Sequence, residues 1–131
     1  MKILLDTHCW LWWFLEPDKL GARAIELISD RRNQIFFSAA SAWEIAIKSS
    51  IKKLKLPDQP KPYIPTRLAE QGMTSLPITV EHALLVDELP FHHKDPFDRI
   101  LVAQAQVENL SLMSADLKVS KYSVDIISPS K

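Results

Sequence analysis

The chain has 131 residues, 47% of them hydrophobic, and its sixteen basic and sixteen acidic side chains cancel in net charge. We expect one globular domain over residues 1–131, because a chain of this size buries roughly two thirds of its unfolded surface. The balanced charge excludes a global positive field, so a polyanionic ligand has to be held by local positive patches.

Cysteine content and apolar run lengths bear on the compartment. The single cysteine, Cys9, excludes an intramolecular disulfide framework and favours a reducing environment. The longest apolar run, from Cys9 to Leu15, is far shorter than the ~18 residues of a membrane span. Asp6 interrupts the first apolar segment before a signal-peptide core develops. We therefore predict a cytoplasmic protein with no membrane association.

Short apolar runs alternate with helix-like segments in the first part of the chain. A strand over residues 3–5 leads through Asp6 into a tryptophan-rich helix, and a helix over residues 22–30 precedes a second strand at 35–37. Ser38 is predicted to cap the next helix. That helix carries an apolar stripe predicted to face the core, formed by Trp43, Ile47, Ile51 and Leu54. Its other face holds lysines, which indicate either a solvated surface or RNA steering: Lys48, Lys52, Lys53 and Lys55.

The second half of the chain continues the alternation. Prolines between residues 57 and 65 predict a loop and a helix entry, and Gly72 is predicted to end a helix over 66–71. Strands follow at 73–78, 110–113 and 124–127, separated by helices beginning near Val80 and at Phe97. Parallel neighbours need helical crossovers, so this order predicts an α/β fold, a three-layer α/β/α sandwich with a mostly parallel sheet.

Four acidic residues are expected at the carboxyl edge of that sheet, where ligands bind in such folds. Asp6 follows the first strand and Asp116 follows the strand at 110–113. Glu44 lies on the second turn after the second strand, and Asp98 begins the helix that leads into the later strand. Crowded carboxylates must take up protons or hold a cation. Oxygen ligands suit Mg²⁺, whereas the chain has no CxxC or HExxH zinc pattern.

Four sequence blocks now carry a family resemblance. They are LLDT at 4–7, SAASAWE at 38–44, DPFDRILVAQA at 95–105 and SAD at 114–116. In this order and spacing the chain resembles PIN-domain ribonucleases, and especially the VapC-type toxins of type II toxin–antitoxin systems. The blocks are spread over nearly the whole chain.

The resemblance implies both a site and partners. It assigns Asp6, Glu44, Asp98 and Asp116 to a catalytic, metal-binding centre for Mg²⁺ or Mn²⁺, with Thr7 and Ser114 as candidate supporting hydroxyls. The implied reaction is hydrolysis of RNA phosphodiester bonds by a metal-activated water. It also implies a cognate antitoxin whose tail covers the acidic cleft, with the exposed part of the helix around residues 10–13 as the candidate groove, and self-association as a homodimer.

Simpler interpretations of the same residues stay open. Asp6 and Asp116 are also typical of a helix cap and a turn residue, and Glu44 can pair with Lys48 one turn away. Asp95 before Pro96 predicts a helix cap. The loop from Pro90 to Lys94 carries further polar residues that are either solvated or, together with the nearby Arg99, phosphate contacts: His92, His93 and Lys94.

Three other functions compete with the nuclease. A phosphoacceptor signalling domain also gathers aspartates at strand ends, but it predicts a strand-end Asp in mid-sheet and a late strand-end Lys; we take the middle strand to end near Pro77. A haloacid-dehalogenase-like phosphatase places a second Asp two residues after the first, where this chain has His8. An inactive PIN fold that only binds a partner is the third alternative.

Overall fold

The computed structural model describes residues 1–130; Lys131, the last residue of the predicted domain, lies outside the described residues. Its strands form one sheet with the spatial order β3-β2-β1-β4-β5, and every neighbouring pair is parallel. The strands are β1 (Lys2–Leu5), β2 (Gln34–Ser38), β3 (Thr74–Leu76), β4 (Ser111–Met113) and β5 (Ile126–Ile127). The predicted parallel α/β sheet is confirmed.

Helices connect the strands. The α-helices are α1 (Thr7–Leu15), α2 (Ala22–Ser29), α3 (Ala39–Ser50), α4 (Pro60–Gln71), α5 (Val80–Leu85) and α6 (Pro96–Glu108). Short 3-10 helices cover Pro17–Lys19, Val86–Glu88 and Val119–Lys121. Within residues 1–130, no helix combines the length and the apolar character that crossing a membrane requires.

The sheet has a separate hydrophobic core on each face. Ile3 and Leu5 of β1 join one core together with Trp10 of α1. Leu4, which points to the opposite face because side chains alternate along a strand, joins the other core together with Val102 of α6. Helices therefore cover both faces, as predicted for a three-layer sandwich.

The strand order reverses at β1. The chain first builds outward from β1 to β2 and β3, then returns to the other side of β1 to add β4 and β5. In parallel α/β sheets the crevice at such a reversal is the usual ligand site. Leu5 pairs with Met113 here, so the residues that leave the ends of β1 and β4, Asp6 and Ser114, start side by side.

Two predicted helix signals are confirmed, and one helix is longer than predicted. The Ser38 side chain accepts the Ala40 N–H at the start of α3, and Gly72 ends α4 with a φ of 65°. However, α4 begins at Pro60, not at residue 66. Prolines in a first helical turn lose little, because the N–H groups there have no intrahelical partner in any case.

The apolar stripe predicted on α3 does not face the core, and this prediction was wrong. Trp43 is 60% exposed, Ile47 38% and Ile51 55%. The buried face of α3 instead carries Glu44 and Ile45 with small residues of its first turn. The predicted stripe had the right helical period but the wrong face, because small and polar residues let α3 approach the sheet edge.

The helix also stops earlier than the stripe requires. α3 ends at Ser50, and Lys52 takes a left-handed conformation with a φ of 59°. The Lys53 N–H then donates to the Lys48 carbonyl over 2.8 Å, which closes the end of the helix. Leu54 packs against the first core from the following turn.

The third strand is an edge strand, so the assumption that it lies in mid-sheet was wrong. β3 pairs with β2 alone in the described sheet, and the central strand is β1, which ends at Asp6. A strand-end Asp in mid-sheet is therefore present. Of the two arguments against a phosphoacceptor domain, only the second remains, because β4 is followed by Ser114, Ala115 and Asp116 and not by Lys.

Candidate metal centre

Asp6 is held at the edge of the sheet by its own backbone. Its N–H donates to the Met113 carbonyl over 3.0 Å, which extends the pairing of β1 with β4 by one bond. Its side-chain Oδ1 accepts the Cys9 N–H at 2.7 Å and so caps α1. The Cys9 thiol also lies within hydrogen-bonding reach of the Asp6 carboxylate. The cap and the ligand interpretations are compatible, because a carboxylate has two oxygens and the cap uses Oδ1.

Glu44 is buried and both of its carboxylate oxygens have partners. The Thr7 hydroxyl donates to Oε1 over 2.7 Å and lies 2.9 Å from the Ser41 hydroxyl. Lys48 Nζ donates to Oε2 over 2.7 Å, so the ion pair predicted from the spacing is present. Glu44 is thus hydrogen-bonded to Thr7, the residue that follows Asp6.

Asp98 and Asp116 meet at a histidine. The His93 Nε2 atom lies 2.6 Å from Asp116 Oδ2 and 3.1 Å from Asp98 Oδ2. These three residues each offer an atom within 4.8 Å of the others, a spacing that fits a metal ion. Asp116 also accepts the Lys118 N–H at 2.9 Å, and its own N–H donates to the Ser114 hydroxyl. The turn role predicted for Asp116 is therefore present, and it leaves the side chain facing His93.

The two aspartates differ in charge environment. Burial and then the charge of Asp95 raise the pKa of Asp98 to about 7, with Asp6 and Asp116 adding repulsion and His93 opposing it. Burial also pushes the pKa of Asp116 upward, but hydrogen bonds from the Lys118 backbone and the His93 ring outweigh it, and the pKa lies below its ordinary value. A half-buried carboxylate that resists ionisation beside other carboxylates is typical of a site that accepts a cation.

Asp95 caps α6, as predicted. Its Oδ1 accepts the N–H groups of Phe97 and Asp98 at 2.8 and 3.4 Å, and Pro96 occupies the first helical position. The cap sets the direction in which α6 begins. Asp98, one turn further along, is consequently turned toward the crevice between β1 and β4.

Sequence reasoning missed His93 because it treated the loop histidines as exposed. His93 is 9% exposed, whereas His92 is exposed to solvent. Its backbone N–H donates to the Tyr122 hydroxyl over 3.0 Å, and Arg99 Nη1 donates to its carbonyl over 3.3 Å. No local pattern signals this burial, since it depends on Arg99 in α6 and on Tyr122 near the end of the chain.

Arg99 is buried and has a different role from the phosphate contact considered above. Its guanidinium donates to the carbonyls of Pro90 and Val86 over 3.0 and 2.8 Å, and to the Tyr122 hydroxyl over 3.1 Å. A guanidinium has five N–H donors in a rigid plane, so it can hold several loop carbonyls together. Arg99 fixes the loop that carries His93.

The donor set fits a hard divalent cation. Asp98 and Asp116 lie within metal-sharing distance of each other and of His93, and the charges of Asp6 and Asp116 both act on Asp98. Carboxylate oxygens are the ligands that Mg²⁺ and Mn²⁺ prefer. Among the described residues, Asp6 and Glu44 are outside this group of three, and Glu44 is paired with Thr7 and Lys48.

The sequence is similar to that of a known protein family over most of its length. The family model of the PIN domain matches residues 3–124. Ribonuclease VapC16 of Mycobacterium tuberculosis is 44% identical over 69 residues, which are 50% of this chain and 48% of that relative, so the match spans about half of its length.

Solved structures with a similar fold include VapBC2 from Rickettsia felis bound to a DNA fragment from its promoter. Its TM-score is 0.70 at 18% sequence identity, and the match covers 97% of this chain and 98% of that one. VapBC-1 from nontypeable Haemophilus influenzae has a TM-score of 0.70 at 13% identity, with 98% of each chain covered. Identities this low support the fold alone. The family match, in contrast, covers nearly the whole sequence, and we conclude that this chain belongs to the PIN-domain family.

Proposed function

We propose that this chain is a divalent-metal-dependent endoribonuclease and the toxin of a toxin–antitoxin pair. The observation that carries the proposal is the group of His93, Asp98 and Asp116, whose ligand atoms lie within 4.8 Å of one another, with the charge of Asp6 among those that raise the pKa of Asp98 to about 7. The ribonuclease named among its relatives supports the reaction class.

In this proposal Asp6, Glu44, Asp98 and Asp116 hold Mg²⁺ or Mn²⁺. When bound, such an ion would supply an activated water and would stabilise the negative charge that develops on the phosphate. A bound cation would lower the pKa of Asp98, which burial and neighbouring carboxylates raise to about 7, because positive charge favours the ionised carboxylate. Thr7 orients Glu44 through the 2.7 Å hydrogen bond, and Ser114 supports the turn that carries Asp116.

RNA would be attracted by a local patch, because the net charge of the chain is zero. Lys48 reaches the rim of the acidic group through Glu44 and keeps part of its side chain exposed. Lys52 and Lys53 follow on the exposed turn after α3. A patch of this size steers phosphates toward the crevice with an attraction that weakens as salt increases.

The proposed partners are a cognate antitoxin and a second copy of this chain. Solved structures similar to this chain include VapBC2 from Rickettsia felis and a toxin–antitoxin complex from Klebsiella pneumoniae, which supports an antitoxin as partner. Trp12 and Trp13 of α1 are only partly buried and form the candidate groove for its tail. Exposed Trp43 and Ile47 on α3 support self-association. The cytoplasmic location stays a prediction.

Incubation of the purified protein with total RNA tests the reaction. We expect fragments with discrete ends in Mg²⁺ or Mn²⁺ and none in EDTA, since an unneutralised carboxylate group repels phosphate. Asp116→Asn should abolish cleavage, while the matched control Asp18→Asn, which changes an exposed aspartate away from the crevice, should not. Complete cleavage by metal-free protein in EDTA would contradict the mechanism.

Two further measurements separate the alternatives. A phosphoacceptor would gain mass when incubated with a small phosphodonor, which intact-mass measurement detects, and the nuclease should not. Coexpression with the neighbouring small open reading frame should yield a complex and relieve toxicity. Absence of both effects would remove the toxin assignment and leave the nuclease in place, whereas a complex without RNA cleavage would identify a PIN fold that only binds.

A further inference from the structure

The two ring nitrogens of His93 have different partners. Nδ1 accepts the backbone N–H of Asp95 over 3.0 Å. Nε2 faces two carboxylate oxygens, Asp116 Oδ2 at 2.6 Å and Asp98 Oδ2 at 3.1 Å. The ring is therefore bound on both sides, once by a donor and once by a pair of acceptors.

This pattern determines where the ring carries its hydrogen. An N–H already points at Nδ1, so a hydrogen on Nδ1 would oppose the Asp95 N–H. The hydrogen therefore resides on Nε2, which donates it to Asp116 Oδ2 with Asp98 Oδ2 close by. With its hydrogen there, Nε2 has no lone pair to offer a metal ion.

Distance alone suggests a different role. His93, Asp98 and Asp116 have the compact spacing of three metal ligands. For His93 to be one of them, the hydrogen would have to move to Nδ1, and the 3.0 Å contact with the Asp95 N–H would become repulsive. That N–H belongs to the residue that caps α6, so its position is held by the start of the helix.

We propose that His93 is a positioning residue and not a metal ligand: its Nε2–H donates to Asp116 Oδ2 and lies against Asp98 Oδ2, so that the cation binds the other carboxylate oxygens, of which Asp116 Oδ1 also accepts the Lys118 N–H. The proposal rests on the proposed function only in assuming that a divalent ion binds in this crevice. The imidazole can act in this way because its loop is fixed, through the Tyr122 hydroxyl on the His93 N–H and through Arg99 on its carbonyl.

Nuclear magnetic resonance of the full chain labelled with ¹⁵N-histidine tests the tautomer directly. Two-bond ¹H–¹⁵N correlations distinguish a ring with its hydrogen on Nε2 from one with its hydrogen on Nδ1, and His93→Gln identifies the His93 signals among the four histidines. We expect the Nε2–H form in metal-free protein and at saturating Mg²⁺, and again with Zn²⁺, which prefers imidazole. A switch to the Nδ1–H form on adding either metal would show that His93 is a ligand and overturn the proposal.

Mg²⁺ binding measured by calorimetry, without RNA, tests the consequence. His93→Ala should weaken Mg²⁺ binding about 10–100-fold, as loss of a group that orients ligands does. His93→Gln, whose amide can donate from a similar place, should recover most of the affinity, and the matched control His92→Ala should leave it unchanged. If His93→Ala does not fold, the Mg²⁺ affinity of His93→Gln and the His93 tautomer in the natural protein still decide whether His93 is a positioning residue or a ligand.

The outcomes separate this proposal from the proposed function. Unchanged Mg²⁺ affinity in His93→Ala, or no Mg²⁺ binding by the natural protein, would overturn the positioning role. Mg²⁺ binding with the expected tautomer but without RNA cleavage would overturn the nuclease and leave the positioning role intact. RNA cleavage together with a tautomer that shows His93 binding the metal would overturn the positioning role and leave the nuclease intact.

Discussion

Two histidines in this molecule make the same pair of hydrogen bonds in different surroundings. The Nδ1 of His82 accepts the Thr79 N–H at 3.0 Å, as that of His93 accepts the Asp95 N–H. Each Nε2 faces a carboxylate, Glu108 at 2.7 Å for His82 and Asp116 at 2.6 Å for His93. The bonding within each unit is therefore nearly identical.

What differs is the number of acidic groups and their exposure. His82 is fully buried and completes a capping box at the start of α5, and its one carboxylate partner is 41% exposed. His93 contacts two carboxylates at the strand-order reversal, where the charge of Asp6 also acts. We expect the hydrogen bond from His82 to a solvated acid to stabilise the fold alone, and we propose that the same bond from His93 to crowded acids positions them for a cation.

The largest expected effect follows from Asp98→Asn, which removes one of the two carboxylates that contact His93. Cleavage should fall at least ~100-fold together with Mg²⁺ binding. In EDTA at pH 8 the variant should be more stable, by roughly 1–2 kcal/mol after allowance for solvent screening, because repulsion and burial no longer oppose a charge. Thermal melts in EDTA, calorimetry and RNA cleavage measure the three quantities.

The pH dependence sharpens this prediction. The pKa of Asp98 is about 7 in the folded protein, above its ordinary value of 3.8, so the folded state binds more protons between these values. The metal-free protein should therefore lose stability as the pH rises from about 4 to 7, and Asp98→Asn should lack this component. A variant that is less stable in EDTA and cleaves normally would mean that Asp98 is only a favourable charge at a helix start.

The second expected effect concerns His82 and its partners Thr79 and Glu108, away from the acidic crevice. His82→Ala should lower the free energy of unfolding by ~2–4 kcal/mol, because it leaves a cavity where a fully buried side chain was and removes the acceptor of the Thr79 N–H. Cleavage per folded molecule should not change. Glu108→Gln, which keeps an oxygen for the ring, should cost less than about 1 kcal/mol. Denaturant melts and an activity assay corrected for the folded fraction measure these effects. A loss of activity per folded molecule in His82→Ala would contradict a purely structural role for His82.

The smallest effect concerns Asp95, which caps α6 beside Asp98. Asp95→Ala should cost ~0.5–2 kcal/mol of folding stability whether or not Mg²⁺ is present, because it removes the acceptor for the first N–H groups of α6. Asp95→Asn keeps that acceptor and should restore most of the loss. Thermal melts of both variants in EDTA and in Mg²⁺ are the measurement. A stability loss that appears only with Mg²⁺ would instead place Asp95 among the metal ligands.

Much of the fold was predictable because its signals are local. The apolar runs and the helices between them indicated a parallel sheet covered on both sides, and the caps at Ser38 and Asp95 follow from side chains that bond within a few residues. The association of Asp6 and Asp116 with strand ends was predictable for the same reason. Their roles as ligands, like those of Glu44 and Asp98, stay predictions.

Sequence by itself thus determined the element types, the caps and the strand-end acids, all of which depend on neighbours along the chain. Tertiary structure alone decided that β1 is the central strand, that Trp43 faces outward, and that His93 is buried between two aspartates. These features depend on contacts between distant residues, such as those of Arg99 and Tyr122 with the His93 loop. A helical period shows that a face is apolar, but only packing decides which face the sheet covers.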